Sequence, residues 1–225
     1  MLKSALAAAL ALIVLAQPSS AAQPSAAKKK LPPPPPDYFP LKRNYWWLYG
    51  TSTESGGKVA DYKVNVLSED KQPDESIRYA VETLSIAFQP ITDIYSKPKG
   101  WVLVHHQKYA SNGMEGDYDP PKKYLKNPLE KGDSWEWSGT GAAMKVQIQE
   151  NSTVDGVEDV AVPAGKFKAM KVTTHVVQGG SPVTKEYWFA PWIGLVKSAT
   201  ESGTVKSISE LRDWSFKPLP KPLKK

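Results

Sequence analysis

The chain has 225 residues, a formal net charge of +6 and no cysteine. The missing cysteine excludes disulfides, thiolate zinc sites, iron–sulfur clusters and cysteine nucleophiles. Eight tryptophans and ten tyrosines stand against five phenylalanines; such rings favour strands, and their polar edges suit ligand surfaces as well as cores.

Met1–Ala22 (MLKSALAAALALIVLAQPSSAA) predicts a cleavable signal peptide. Lys3 supplies the positive start, and Ala5–Ala16 the apolar run. That run is shorter than the roughly 20 residues a bilayer-spanning helix needs. Pro18 ends it, and Ser20-Ala21-Ala22 gives small residues for cleavage after Ala22. No cysteine follows to carry a lipid at that site. The expected product is periplasmic or secreted and is not an integral membrane protein.

Residues 23–37 read as a basic proline-rich linker, with Lys28-Lys29-Lys30 and the run Pro32–Pro36. Residues 217–225 form a similar tail, where Lys217, Lys221, Lys224 and Lys225 mix with Pro218, Pro220 and Pro222. Proline removes backbone donors and favours extended polyproline II. The charge suits attachment to an anionic cell-envelope surface.

Residues 38–216 predict a single β-domain. Tyr62, Val64 and Val66 alternate with Asp61, Lys63 and Asn65, the pattern of a half-buried strand. In Ile77–Phe88 the apolar phase slips, because Ile77, Tyr79 and Val81 share one parity and Leu84, Ile86 and Phe88 the other. The slip predicts a β-bulge near Glu82–Leu84, with a short amphipathic helix as the alternative. Trp101–Tyr109 reads as a strand. Asn112–Pro128 (NGMEGDYDPPKKYLKNP) reads as a polar linker between two sheet units.

Met144, Val146 and Ile148 then alternate with Lys145, Gln147 and Gln149, and Met170, Val172, Thr174 and Val176 with Lys171, Thr173 and His175. Val162-Pro163-Ala164-Gly165 predicts a hairpin closure between Val157–Val162 and Phe167–Val177: a type I turn followed by a left-handed glycine. Val183–Ala190, Leu195–Thr200 and Thr204–Phe216 continue an antiparallel meander.

An internal echo stands out. Leu41, Trp47 and Tyr49 recur as Leu129, Trp135 and Trp137, an offset of 88 residues. Each set follows a proline (Pro40, Pro128) and runs toward a glycine (Gly50, Gly139). Aromatics two apart share a strand face. The echo raises a duplicated β-unit. The fold class is thus all-β: a curved antiparallel sheet or half-barrel built as a meander, with two related β-units as an open alternative.

Val162-Pro163-Ala164-Gly165-Lys166-Phe167 and the run Tyr187-Trp188-Phe189-Ala190-Pro191-Trp192-Ile193-Gly194-Leu195-Val196-Lys197-Ser198 resemble elements of exported bacterial β-domain families of unknown function. Gly132-Asp133-Ser134-Trp135 also fits. The resemblance spans roughly residues 40–214. It implies a curved antiparallel sheet like the half-barrels of lipoprotein carriers, and it implies no activity and no catalytic residues. Trp192-Ile193 departs from the smaller residues usual there.

Enzyme chemistry finds little support. There are three histidines; His105 and His106 are adjacent on a strand and point to opposite faces, and His175 falls on a polar face. No G-x-S-x-G elbow is present, and Gly179-Gly180 lacks the lysine of a phosphate loop. Glu136, between two tryptophans, is expected to face solvent. Glu115, Asp117 and Asp119 lack the ligand order of a calcium loop. Export and the absence of an RNP-like motif argue against nucleic acid. No metal, cofactor or catalytic residue is expected.

The leading expectation is a non-catalytic envelope protein that binds a lipid or glycan ligand or serves as a scaffold. The candidate ligand residues are Trp47, Tyr49, Trp135, Trp137, Trp188 and Trp192. The alternative is a glycan hydrolase using paired carboxylates.

Overall fold

The computed structural model describes residues 33–217 apart from 88 and 144. The predicted signal peptide, the predicted linker up to residue 32, the predicted tail beyond Lys217, Phe88 and Met144 lie outside the described residues. The strands are β1 (Trp46–Thr53), β2 (Lys58–Lys71), β3 (Ile77–Ser85), β4 (Ile91–Ser96), β5 (Gly100–Tyr109), β6 (Glu115–Asn127), β7 (Ser134–Thr140), β8 (Gln147–Val162), β9 (Gly165–Gln178), β10 (Ser181–Ala190), β11 (Gly194–Ser202) and β12 (Val205–Trp214).

Each strand pairs antiparallel with its sequence neighbours, and β1 pairs with β12. The sheet is therefore a closed twelve-stranded barrel, which corrects the expected half-barrel. Closure runs from Trp47↔Trp214 to Thr53↔Ser207. It satisfies the backbone groups that two free edges would expose.

Residues paired across a ladder share a face, so the register traces the interior. Tyr49 faces Tyr62, Val81 faces Asp93, and Asp93 faces Gln107. Val104 faces Lys122, Trp137 faces Glu150, Thr174 faces Lys185, and Val172 faces Tyr187. On β8 the outward residues Gln147, Gln149, Asn151, Thr153 and Asp155 are exposed and polar.

Three expectations need correction. The phase slip in Ile77–Phe88 is not a bulge on β3. The register shift sits on β2, between Val66 and Ser68, so Leu67 is the extra residue. Of the second parity, Leu84 and Ile86 stay out of the core, at 37% and 98% exposed. Asn112–Pro128 is mostly strand β6, not a linker, and its Leu125 is fully buried. Its prolines misled because proline cannot donate to a ladder; the β6–β7 seam asks for little, since its ladder holds one pair, Asp119↔Thr140. Val146 precedes β8, which begins at Gln147.

The hairpin at Pro163–Ala164 closes on Val162↔Gly165 with φ 141° at Gly165. Its arms, β8 and β9, are longer than the predicted ones.

The echo extends into the backbone. Asn44 N–H donates to Val66 C=O, Tyr45 N–H to Lys42 C=O, and Val66 N–H to Tyr45 C=O. Gly132 N–H donates to Val154 C=O, Asp133 N–H to Glu130 C=O, and Val154 N–H to Asp133 C=O. Every residue number in the second set is 88 greater. Asn44 and Gly132 both hold positive φ, 71° and 86°. The bulge after Val66 on β2 recurs after Val154 on β8. β1 and β7 are the first and seventh of the twelve strands.

Candidate functional site

The alternation that buries one face of each strand leaves two cavities inside the barrel. The first, about 170 Å³, is walled by Trp47, Tyr49, Tyr62, Tyr95 and Tyr124, with Asp93 and Thr83 among the rings. Tyr49 and Tyr62 stack at 4.9 Å, and Tyr95 meets Tyr124 edge-on at 6.0 Å. Burial raises the Tyr62 hydroxyl to about 12 and lifts Tyr49, Tyr95 and Tyr124 well up, so all stay neutral hydrogen-bonding groups. Burial likewise pushes the Asp93 carboxyl up to about 6, against the opposing pull of the Gln107 hydrogen bond (3.0 Å) and the Lys122 and His106 charges.

A strap closes this end. Asp37–Leu41 crosses it, and Phe39, Pro40 and Leu41 line the cavity. Lys97 Nζ donates to Asp37 Oδ2 (2.6 Å) and to Phe39 C=O (2.7 Å). Asn127 takes the Tyr38 N–H at 2.9 Å and gives its amide to Asp37 Oδ1 at 2.8 Å. Trp192 N–H donates to Asp37 C=O at 2.7 Å. The strap thus ties together the turns after β4, β6 and β10. Gly194, beside Pro40, holds φ 93°, a conformation that a side chain would strain.

The second cavity, about 230 Å³, lies toward the opposite end, where the turns after β5, β7 and β9 gather. Its polar lining comes from Gln107, Tyr118, Lys122, Glu150, Gln178 and Lys185. Lys122 and Glu150 form a largely buried ion pair at 2.6 Å. Burial, with repulsion from Lys122, lowers the Lys185 ammonium against the attraction of Glu150.

The six aromatic candidates separate. Trp47 and Tyr49 line the aromatic cavity, their polar edges donating to Ile193 C=O (2.7 Å) and Leu195 C=O (2.9 Å). Trp135 and Trp137 are buried at the β6–β7 seam, and their indoles donate to the carbonyls of Lys123 and Pro120, both at 3.2 Å. Neither lines either of these two cavities. Trp188 faces away from the interior, between Lys171 (5.3 Å) and Lys197 (5.6 Å), and donates to Glu158 at 2.7 Å. Trp192 is 52% exposed on the turn after β10.

His105 bonds Ser96 Oγ at 2.8 Å, while His106 bonds Asp117 at 2.9 Å. Glu136 is exposed. Among the described residues no group of His, Asp and Glu is arranged to hold a metal.

The sequence reading missed Asp93, Lys122, Glu150 and Lys185. A parity signal was present for two of them. Glu150 shares the phase of Ile148, Ser152 and Val154, and Lys185 that of Val183, Tyr187 and Phe189. A charge at the inward phase of a strand is the mark of a wet interior.

No protein-family model matches the chain, and no curated protein matches it significantly. Solved structures do. A Bacteroides fragilis protein described as exported, with a YmcC-like fold, is similar at 16% identity and a TM-score of 0.52, over 80% of this chain and 100% of that one. A Parabacteroides distasonis protein described as a lipoprotein is similar at 12% identity and a TM-score of 0.53, over 81% and 100%. The likeness is one of fold, and neither name states an activity.

Proposed function

We propose that the barrel is a non-catalytic binding protein of the cell envelope that holds a small ring-bearing ligand in its aromatic cavity. The observation that carries this is the cavity wall: Trp47, Tyr49, Tyr62, Tyr95 and Tyr124 enclose about 170 Å³ together with Asp93 and Thr83. Ring faces beside neutral hydroxyls and a carboxyl suit a sugar ring better than a bare hydrocarbon chain. The volume is below the roughly 300–1,000 Å³ of drug-sized pockets, so the occupant is a single ring or a short segment.

Supporting a non-enzyme role, the two interior carboxylates line different cavities, Asp93 the aromatic one and Glu150 the polar one. Glu150 is also committed to Lys122. The signal peptide places the protein in the periplasm or outside the cell, and the basic tails serve an anionic surface. The exposed polar residues on the outside of β8 are unlike the apolar band of a membrane barrel. We read the barrel itself as a doubled six-strand unit, on the strength of the shared hydrogen bonds and bulges.

Native mass spectrometry of protein purified from its own envelope tests the binding reading. A retained glycan fragment or other ring-bearing molecule, lost in Tyr95→Leu, supports it. An empty wild-type barrel that also leaves its tryptophan fluorescence unchanged on titration with envelope glycan fragments and short lipids would overturn it.

A further inference from the structure

We propose that the polar cavity is a second binding site, for an oxyanion of the phosphate or carboxylate class held by Lys185. The site is built from the interior register. Lys185 lies on β10 in the phase of Val183, Tyr187 and Phe189, opposite Thr174 of β9. It lines a cavity of about 230 Å³ beside Lys122, Glu150, Gln107, Tyr118 and Gln178.

The charge count decides the ligand's sign. The cavity holds two ammonium groups and one carboxylate. Glu150 is already taken by Lys122 at 2.6 Å. Lys185 takes part in none of the ion pairs among the described residues; Lys122 repels it while Glu150, already paired with Lys122, attracts it. A buried charge without a partner is costly, and an added anion removes that cost. A cation would add to the repulsion. The amide of Gln178 and the Tyr118 hydroxyl, both lining the cavity, supply donors for the remaining oxygens.

Gly141, Ala142 and Ala143, after β7, line the cavity with small side chains. Lys122 and Tyr118 come from β6, whose ladder with β7 holds one pair. The barrel is thus least tightly laced beside this cavity. The equivalent β12–β1 seam is paired from Trp47 to Thr53.

The inference extends the binding reading to a separate site, and the two fail separately because the aromatic residues and Lys185 line different cavities. The test is a titration of the full mature chain with inorganic phosphate and with acetate at constant ionic strength, using chloride as the control. It is read by calorimetry and by the Lys185 Nζ NMR shift. Saturable binding that moves the Lys185 signal, weakened at least tenfold in Lys185→Met and kept in Lys185→Arg, supports the site. Tyr95→Leu is expected to leave that binding unchanged. Phosphate binding equal in wild type and Lys185→Met, or a wild-type Lys185 signal that neither anion moves beyond the chloride control, overturns it. A short-chain phosphatidate then separates sources: tighter binding than inorganic phosphate assigns a lipid headgroup, and weaker binding a free small anion.

Discussion

The indole Nε1 of Trp137 donates to the main-chain carbonyl of Pro120 at 3.2 Å, across a seam whose ladder holds a single pair. Trp135 does the same for Lys123 C=O, also at 3.2 Å. Side chains here replace the hydrogen bonds that two neighbouring strands ordinarily exchange. These tryptophans lace β6 to β7, which explains their burial better than a ligand surface does.

Trp137→Phe keeps a ring in the core but leaves the Pro120 carbonyl without its donor. The expected loss is about 1–3 kcal/mol of stability, read as a lower midpoint in urea unfolding. Glu136→Gln, on the exposed face between the two tryptophans, is expected to change little and serves as the control.

The repeated turn gives an asymmetric pair of substitutions. Asn44 and Gly132 occupy matching positions at φ 71° and 86°. Asn44→Gly is expected to be close to neutral, because glycine adopts this conformation freely. Gly132→Ala is expected to cost about 1–2 kcal/mol, since a Cβ is strained there. Thermal unfolding of both variants checks the difference.

Asp93 should make stability depend on pH in a defined window. Burial raises its carboxyl from the ordinary 3.8 to about 6. A raised folded value favours the neutral form, so the contribution is fully present below about pH 4 and is lost as pH rises through 6. Asp93→Asn removes this penalty. It is expected to stabilise the barrel at pH 8 by an amount on the order of 3 kcal/mol and to do little at pH 3.5. Urea unfolding at the two values reads the effect.

Lys122 and Glu150 form a couple best probed together. Lys122→Met alone strands a buried carboxylate, at an expected cost of about 3–5 kcal/mol. Lys122→Met with Glu150→Leu removes both charges and is expected to be less damaging than the single change. A double-mutant cycle in denaturant measures the coupling.

The strand alternation of Tyr62–Val66 and Met170–Val176, the Pro163–Ala164 hairpin and the meander after it are all legible in the sequence, because each depends on neighbours a few residues apart. Barrel closure is not. It pairs Trp47 with Trp214, and no local pattern announces which distant edge a strand will meet. β6 was illegible for a related reason: Pro120 and Pro121 look like loop residues until the sparse ladder beside them is seen. In the candidate site, Trp47 and Tyr49 were readable as aromatics sharing one face. The polar interior was hidden because Glu150 and Lys185, taken singly, look like solvent-facing residues.

The six-strand doubling proposed above carries a consequence for how such a barrel can arise. Six is an even number, so a six-strand meander enters and leaves at the same end. A tandem copy then needs only a short link, and its outer strand meets the first strand antiparallel with no crossover. An odd-numbered unit leaves at the opposite end, so a tandem copy in the same orientation would need a connection along the whole length of the barrel. On the proposed doubling, half of this molecule would be a sheet with two unpaired edges, able to complete itself by pairing with another copy.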